Sequence, residues 1–201
     1  MPSVMFHDGN RRLQDQFDSR RISDRLEETR THQVFTDQDR AFIEKSMFFF
    51  LATADAEGRP DCSFKGGMPG FVAVIGPGEL AFPDYDGNGI FKSLCKILVN
   101  PGVGLLFIDM GEKPRRLRVN GTASVSHDDP LMQRFAGAQL LVRVQARAIF
   151  PNCPRYIVTP ASDEPSKYAP RPGYRPPEPP WKGFDDLKDY IHPRQPTPKG
   201  E

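Results

Sequence analysis

Residues 47–67 read MFFFLATADAEGRPDCSFKGG. The first nine are an aromatic-rich apolar run that ends in polar residues, which predicts a buried strand over 47–55. AEGRP (56–60) has turn chemistry. DCSFKGG (61–67) then alternates, which puts Asp61, Ser63 and Lys65 on one face of a second strand and Cys62 and Phe64 on the other.

Downstream the same signals repeat. Two strands are predicted at 71–75 and 79–82, joined by Gly76, Pro77 and Gly78. FPDYDGNG is a loop that feeds a helical pattern, IFKSLCKIL (90–98), stopped by Asn100 and Pro101. VGLLFIDM (103–110) is another continuous apolar strand, RRLRVNGTASVS (115–126) alternates, and QLLVRVQARAIF (139–150) is a long alternating strand. A short helix fits 131–135. Six or seven strands with one embedded helix predict a mainly β protein, a small Greek-key-like antiparallel barrel with peripheral helices.

Upstream, Thr36 and Asp39 make a capping-box start for the helix DQDRAFIEKS. Leu13, Phe17, Ile22 and Leu26 keep roughly helical spacing within a stretch of alternating charge, so one amphipathic helix or two short ones pack outside the barrel. Thirteen of the 21 prolines follow residue 150, and RPGYRPPEPP (171–180) is neither helix nor central strand. The expected division is therefore a helical extension over 1–35, a barrel over 36–150 and a proline-rich arm over 151–201. The arm has a polyproline II stretch near 176–180 and a helical patch over 181–190. It is anchored by Tyr168, Tyr174, Trp181, Phe184 and Tyr190.

Composition removes several function classes. The 27 basic and 26 acidic side chains leave a net charge of +1, so no bulk attraction to nucleic acid or anionic lipid is implied. No apolar run approaches 18 residues, which argues against a membrane-spanning helix. The first residues carry no apolar signal core, and the three cysteines form no CxxC pair; the expected location is cytoplasmic. The four histidines are scattered without zinc-binding spacing, so no metal site is expected.

Three polar groups are candidates for one site. The first is Lys65 with Ser63 and Asp61. The second is the start of the 90–98 helix, where Asn88, Lys92, Ser93 and backbone N–H groups suit an anion because a helix N-terminus carries partial positive charge. The third is Arg116 with Arg118, which share a strand face. Each also has a plainer reading: glycine loops before helices are common, Lys92 and Ser93 are solvated, and the arginines form a salt-bridged outer face.

The ordered string weighs on that choice. FLATAD, EG and RPDCSFKGG are followed by LAFPDYDGNGIFKSL, NPGVGLLFI and RRLRVNGTA. This resembles the pyridoxamine 5′-phosphate oxidase-like flavoproteins over about residues 36–150. The resemblance implies the FMN-binding split barrel, with FMN lying across a homodimer interface. It implies that Lys65 contacts the flavin side of the site, with Ser63 beside it, and that Lys92 and Ser93 take the place of the pair on the FMN phosphate. Arg116 corresponds to a strand position near the isoalloxazine, with Arg118 on the same face, and the backbone around Phe82, Pro83 and Asp84 lines the flavin. The second basic residue of the phosphate pair is Ser93 here. The oxidases' Arg-x-His substrate segment is missing, with PNCPRYI and the proline-rich tail in its place.

The expectation is an FMN-dependent, homodimeric oxidoreductase acting on a small molecule by two-electron transfer through flavin N5, with no side chain assigned as catalytic acid or base. A non-catalytic flavin- or haem-binding protein on the same fold is the alternative, and a deazaflavin is a further possible ligand.

Overall fold

In the computed structural model, residues 3–111, 113–157, 167 and 177–191 are described. They fall into two compact units, one from the residues before His32 with 167 and 177–191, the other from His32 to residue 157.

In the first unit the amphipathic stretch forms two helices, α1 (Asp8–Gln16) and α2 (Arg20–Arg30). The 181–190 patch is two short 3-10 turns, Pro180–Gly183 and Lys188–Tyr190, rather than one helix. Leu187 is buried, Arg25 stacks over the Tyr190 ring at 5.2 Å, and Arg30 pairs with Asp186 at 2.7 Å. Of the 176–180 stretch, residues 177–179 lie outside helix and strand and Pro180 starts the first of these turns, while residue 176, Tyr168 and Tyr174 lie outside the described residues.

The second unit begins with α3 (Asp37–Lys45), and its capping box forms as predicted. The Thr36 hydroxyl accepts from the Asp39 N–H at 3.1 Å while the Asp39 carboxylate accepts from the Thr36 N–H at 3.0 Å. Seven strands follow: β1 (Phe48–Ala54), β2 (Pro60–Gly66), β3 (Ala73–Gly76), β4 (Glu79–Tyr85), β5 (Gly102–Asp109), β6 (Arg115–Ser126) and β7 (Ala138–Asn152). A helix α4 (Lys92–Val99) precedes β5, and a 3-10 turn (Pro130–Arg134) links β6 to β7. The order in the sheet is β2-β1-β5-β6-β7-β4-β3, every pair antiparallel. This is a mainly β split barrel. Among the described residues no helix is long and apolar enough to cross a membrane.

The concave face holds the core. Phe49 sits among Phe71, Phe82 and Phe107, with ring centroids 5.9, 4.9 and 5.1 Å away. Leu51, Leu105, Leu117 and Val119 extend the cluster, all nearly fully buried. The apolar runs of β1 and β5 are not buried on both faces, as a continuous hydrophobic strand predicts. Phe48, Phe50, Leu106 and Ile108 point to the convex side and are only half-buried, while Phe64 of β2 stays 62% exposed beside them.

The β1–β2 turn closes on Asp55, whose carboxylate accepts from the Arg59 N–H at 2.8 Å and from its guanidinium at 2.7 Å. Burial pushes the Asp55 carboxyl up, but those two bonds, with the charges of Arg59 and Lys96, outweigh it and bring its pKa down to about 2. The Asn100 side chain donates to the Asp55 carbonyl at 3.2 Å and Lys96 to that of Arg59 at 2.8 Å, so this turn also fixes the C-terminal half of α4 along β2.

Candidate functional site

A cleft of about 430 Å³ opens where the barrel is split, between β2, the end of β4 and the start of α4. Strand alternation turns Asp61, Ser63 and Lys65 toward it, as the sequence predicts. Asp84 and Tyr85 enter from β4, Asn88 from the glycine loop, and Phe91, Lys92 and Ser93 from the start of α4.

The helix begins two residues later than its apolar pattern. Phe91 is left-handed, at φ +50°, and no side chain caps the first turn. The first N–H groups of a helix have no acceptor within it, so this end offers donors and partial positive charge to the cleft. Asn88 is occupied locally, its side-chain oxygen accepting from the Ile90 N–H at 3.0 Å.

The charged side chains are paired. Lys65 Nζ lies 3.1 Å from Asp84 Oδ1, and Lys92 Nζ lies 3.1 Å from Asp61 Oδ1. The Ser93 hydroxyl, on a buried residue, donates to Ser63 Oγ at 2.9 Å and approaches Asp61 Oδ2 at 3.5 Å. The sequence marks Asp61 as a neighbour of Lys65; its pairing with Lys92 is a tertiary feature. Tyr85, Gly87, Gly89 and Phe91 also line the cleft. The signal that locates them is the unbroken loop PDYDGNG between a strand and a helix.

Two of the expected groups lie outside the side-chain lining of the cleft in a single chain. Phe82 and Pro83 are buried, and the Phe82 ring packs against Phe49 at 4.9 Å, so only Asp84 of that trio presents its side chain to the cleft. Arg116 and Arg118 do not join the cleft within one chain. The register aligns Phe64 with Phe50, Phe50 with Leu106 and Leu106 with Arg118. Arg118 therefore shares a face with Phe64, opposite to that of Lys65. It also lies three strands from β2, roughly 14 Å at the usual strand spacing. The physical reason is parity: β2 presents its polar residues inward, whereas β6 buries Leu117 and Val119 and presents its arginines outward.

Arg116 donates through Nη2 to the Cys153 carbonyl oxygen. Its Nε and the Oδ1 of Asn152, its register partner on β7, are both buried with no hydrogen-bond partner among the described residues. Arg155 stacks over Tyr156 at 5.5 Å, and neither lines the cleft. No cluster of metal-ligating side chains occurs among the described residues.

The seven-stranded antiparallel sheet with its peripheral helices defines the split-barrel fold class. A family model described as pyridoxamine 5′-phosphate oxidase matches residues 35–163, and the chain belongs to that family. Solved structures resemble it at the level of fold. HupZ of Group A Streptococcus is 17% identical, over 58% of this chain and 93% of its own, with a TM-score of 0.47. HutZ, the heme storage protein from Vibrio cholerae, is 22% identical over 54% and 87%, with a TM-score of 0.41. General Stress Protein 26 from Bacillus anthracis is 19% identical over 57% and 90%, with a TM-score of 0.40. No curated protein matches the chain.

Proposed function

We propose that the protein is an FMN-dependent oxidoreductase of this family, acting on a small molecule, with the FMN phosphate held in the cleft at the start of α4. The donor set of that cleft carries the reading. It comprises an ammonium group on Lys92, hydroxyls on Ser93 and Ser63, and an uncapped helix start, the combination that binds a phosphate monoester. Asn88 and Asp84 border the same space, and the cleft volume is within the range of small-molecule sites.

The convex face supports a homodimer. Phe64 is 62% exposed there, and Arg116 and Arg118 share this face. The unsatisfied Arg116 Nε and Asn152 Oδ1 are a donor and an acceptor that a bound ligand or partner subunit would satisfy. In this reading a second subunit brings Arg116 and Arg118 to the flavin of the first.

When bound, FMN supplies two-electron transfer at N5. Lys92, Ser93 and Ser63 hold the phosphate, while Lys65 and Arg116 are the cations available to stabilise negative charge on the ring system. The segment that leaves β7 is PNCPRYI rather than the Arg-x-His that the oxidases carry there, which favours a substrate other than a vitamin B6 phosphate.

The test is the absorbance spectrum of the purified protein and the mass of any chromophore released, followed by reduction with NADH and NADPH. A flavin spectrum and the mass of FMN support the proposal. A Soret band would favour a haem protein, and failure to bind added FMN would exclude the flavin reading.

A further inference from the structure

We propose that Asp61 makes the cleft selective for a phosphate group that carries one proton, so that Asp61 is a specificity-determining residue of the anion site. The inference rests on the FMN reading above. It starts from charge. Lys65 and Lys92 are each matched by a carboxylate at 3.1 Å, so the side chains of the cleft sum to zero. An anion that Lys92 contacts shares that ammonium with Asp61, so the net positive charge that remains is the partial charge at the start of α4. A dianionic phosphate there faces two carboxylates without a full cation to spare. A monoanion halves that repulsion and brings a P–OH donor, for which a carboxylate is the strongest acceptor.

Asp61 is the carboxylate placed to accept it. Its side chain is 15% exposed and faces the cleft between Ser63 and the start of α4. Oδ1 is held by Lys92. Among the described residues Oδ2 has only the 3.5 Å approach of Ser93 Oγ, longer than an effective O–H···O bond, because that hydroxyl is committed to Ser63 at 2.9 Å. Asp84 is held by Lys65 across the split. The charged and titratable groups around Asp61 are Lys65 on its own strand, Lys92 and Lys96 on α4, Asp55 and Arg59 in the β1–β2 turn, and Asp84 and Tyr85 on β4. Lys96 is engaged with Asp55 at 3.5 Å and with the Arg59 carbonyl, which leaves Lys92 as the cation in contact with Asp61.

Calorimetric titration of the full chain, freed of chromophore, with FMN between pH 6 and pH 8 tests this. A phosphate monoester loses its second proton near pH 6, so the monoanion falls from about half to about one per cent, and Kd should rise about fifty-fold. At pH 8 about one proton should be taken up per FMN bound, seen by comparing buffers of different ionisation enthalpy. Riboflavin, which lacks the phosphate, should give a flat profile. Asp61→Asn should flatten the FMN profile by admitting the dianion.

A flat wild-type profile without proton uptake overturns the proposal while leaving the flavin reading intact. So does an Asp61→Asn variant that is weaker by one factor at every pH, which would make Asp61 a positioning residue for Lys92. Absence of FMN binding at any pH overturns both. The wild-type profile needs no variant, so it decides the question even if Asp61→Asn fails to fold.

Discussion

Lys65 and Asp84 form an ion pair at 3.1 Å although their strands are first and sixth in the order of a seven-stranded sheet. Curling of the sheet brings them together, and their bond spans the split at the inner end of the cleft. The side chains are 20% and 12% exposed, between a surface pair and a buried one. Lys65→Ala strands a shielded carboxylate and should cost about 1–3 kcal/mol in chemical denaturation, between the surface and buried limits. Replacing both residues with apolar ones should cost less than the sum of the single changes. A single-variant cost under about 0.5 kcal/mol would mean the pair behaves as a solvated surface bridge.

Local patterns made most of this fold legible. The strand periods, the Thr36–Asp39 box and the Asn100-Pro101 stop are written within a few residues of where they act. The inward turn of Asp61, Ser63 and Lys65 also follows from alternation alone. What stayed hidden depends on contacts between distant segments. Nothing near Lys65 announces Asp84, and nothing near Lys92 announces Asp61. Which way Arg116 and Arg118 face is likewise not local: two polar strand faces look alike in sequence, and only the burial of Leu117 and Val119 says that this one turns outward. Apolar spacing places the start of α4 two residues early because it does not reveal the left-handed Phe91.

Gly121 explains the glycine of the RRLRVNGTA element. It sits at a register shift between β6 and β7, where an added Cβ would overlap the Gln145 carbonyl group. Gly121→Ala should therefore destabilise the barrel by about 3 kcal/mol or more, the upper end of overpacking effects. Gly58 is the contrast: its φ is +78° and a Cβ there meets nothing within 4 Å. Gly58→Ala should cost only the conformational penalty, about 1–2 kcal/mol. Equal costs in thermal or chemical denaturation would show that the bulge yields.

Asp55 sets an acid dependence. Its folded pKa of about 2 is below the unfolded value near 3.9, so its contribution is complete above that unfolded value and is lost as pH falls toward 2. Asp55→Asn should lower stability at neutral pH. The gap to the wild type should close as both proteins are denatured at progressively lower pH through this window. A constant gap would assign the effect to the hydrogen bonds of the turn rather than to ionisation.

Lys92 is 67% exposed and can leave Asp61 without disturbing the core. Lys92→Ala should cost less stability than Lys65→Ala while weakening FMN by roughly 1.5 kcal/mol, about tenfold in Kd. Unaltered FMN affinity in this variant would move the phosphate away from the start of α4.

Phe64 tests the convex face. It is 62% exposed, stacks on Phe48 at 5.3 Å and meets Phe50 edge-on at 5.9 Å, so a charge there disturbs an apolar surface rather than the core. Phe64→Glu should abolish a homodimer built on this face while changing the stability of the single chain by about 0.5 kcal/mol or less. In the wild type, FMN should raise the melting temperature and shift sedimentation at low micromolar protein toward dimer, because a ligand contacting both subunits binds only the assembled form. Phe64→Glu should lose both responses even though Lys92, Ser93 and Ser63 are untouched. A wild-type monomer that binds FMN one-to-one without a change in mass would confine the site to one chain. Arg116 and Arg118, on the far face of the sheet from the cleft, would then have no part in holding the flavin.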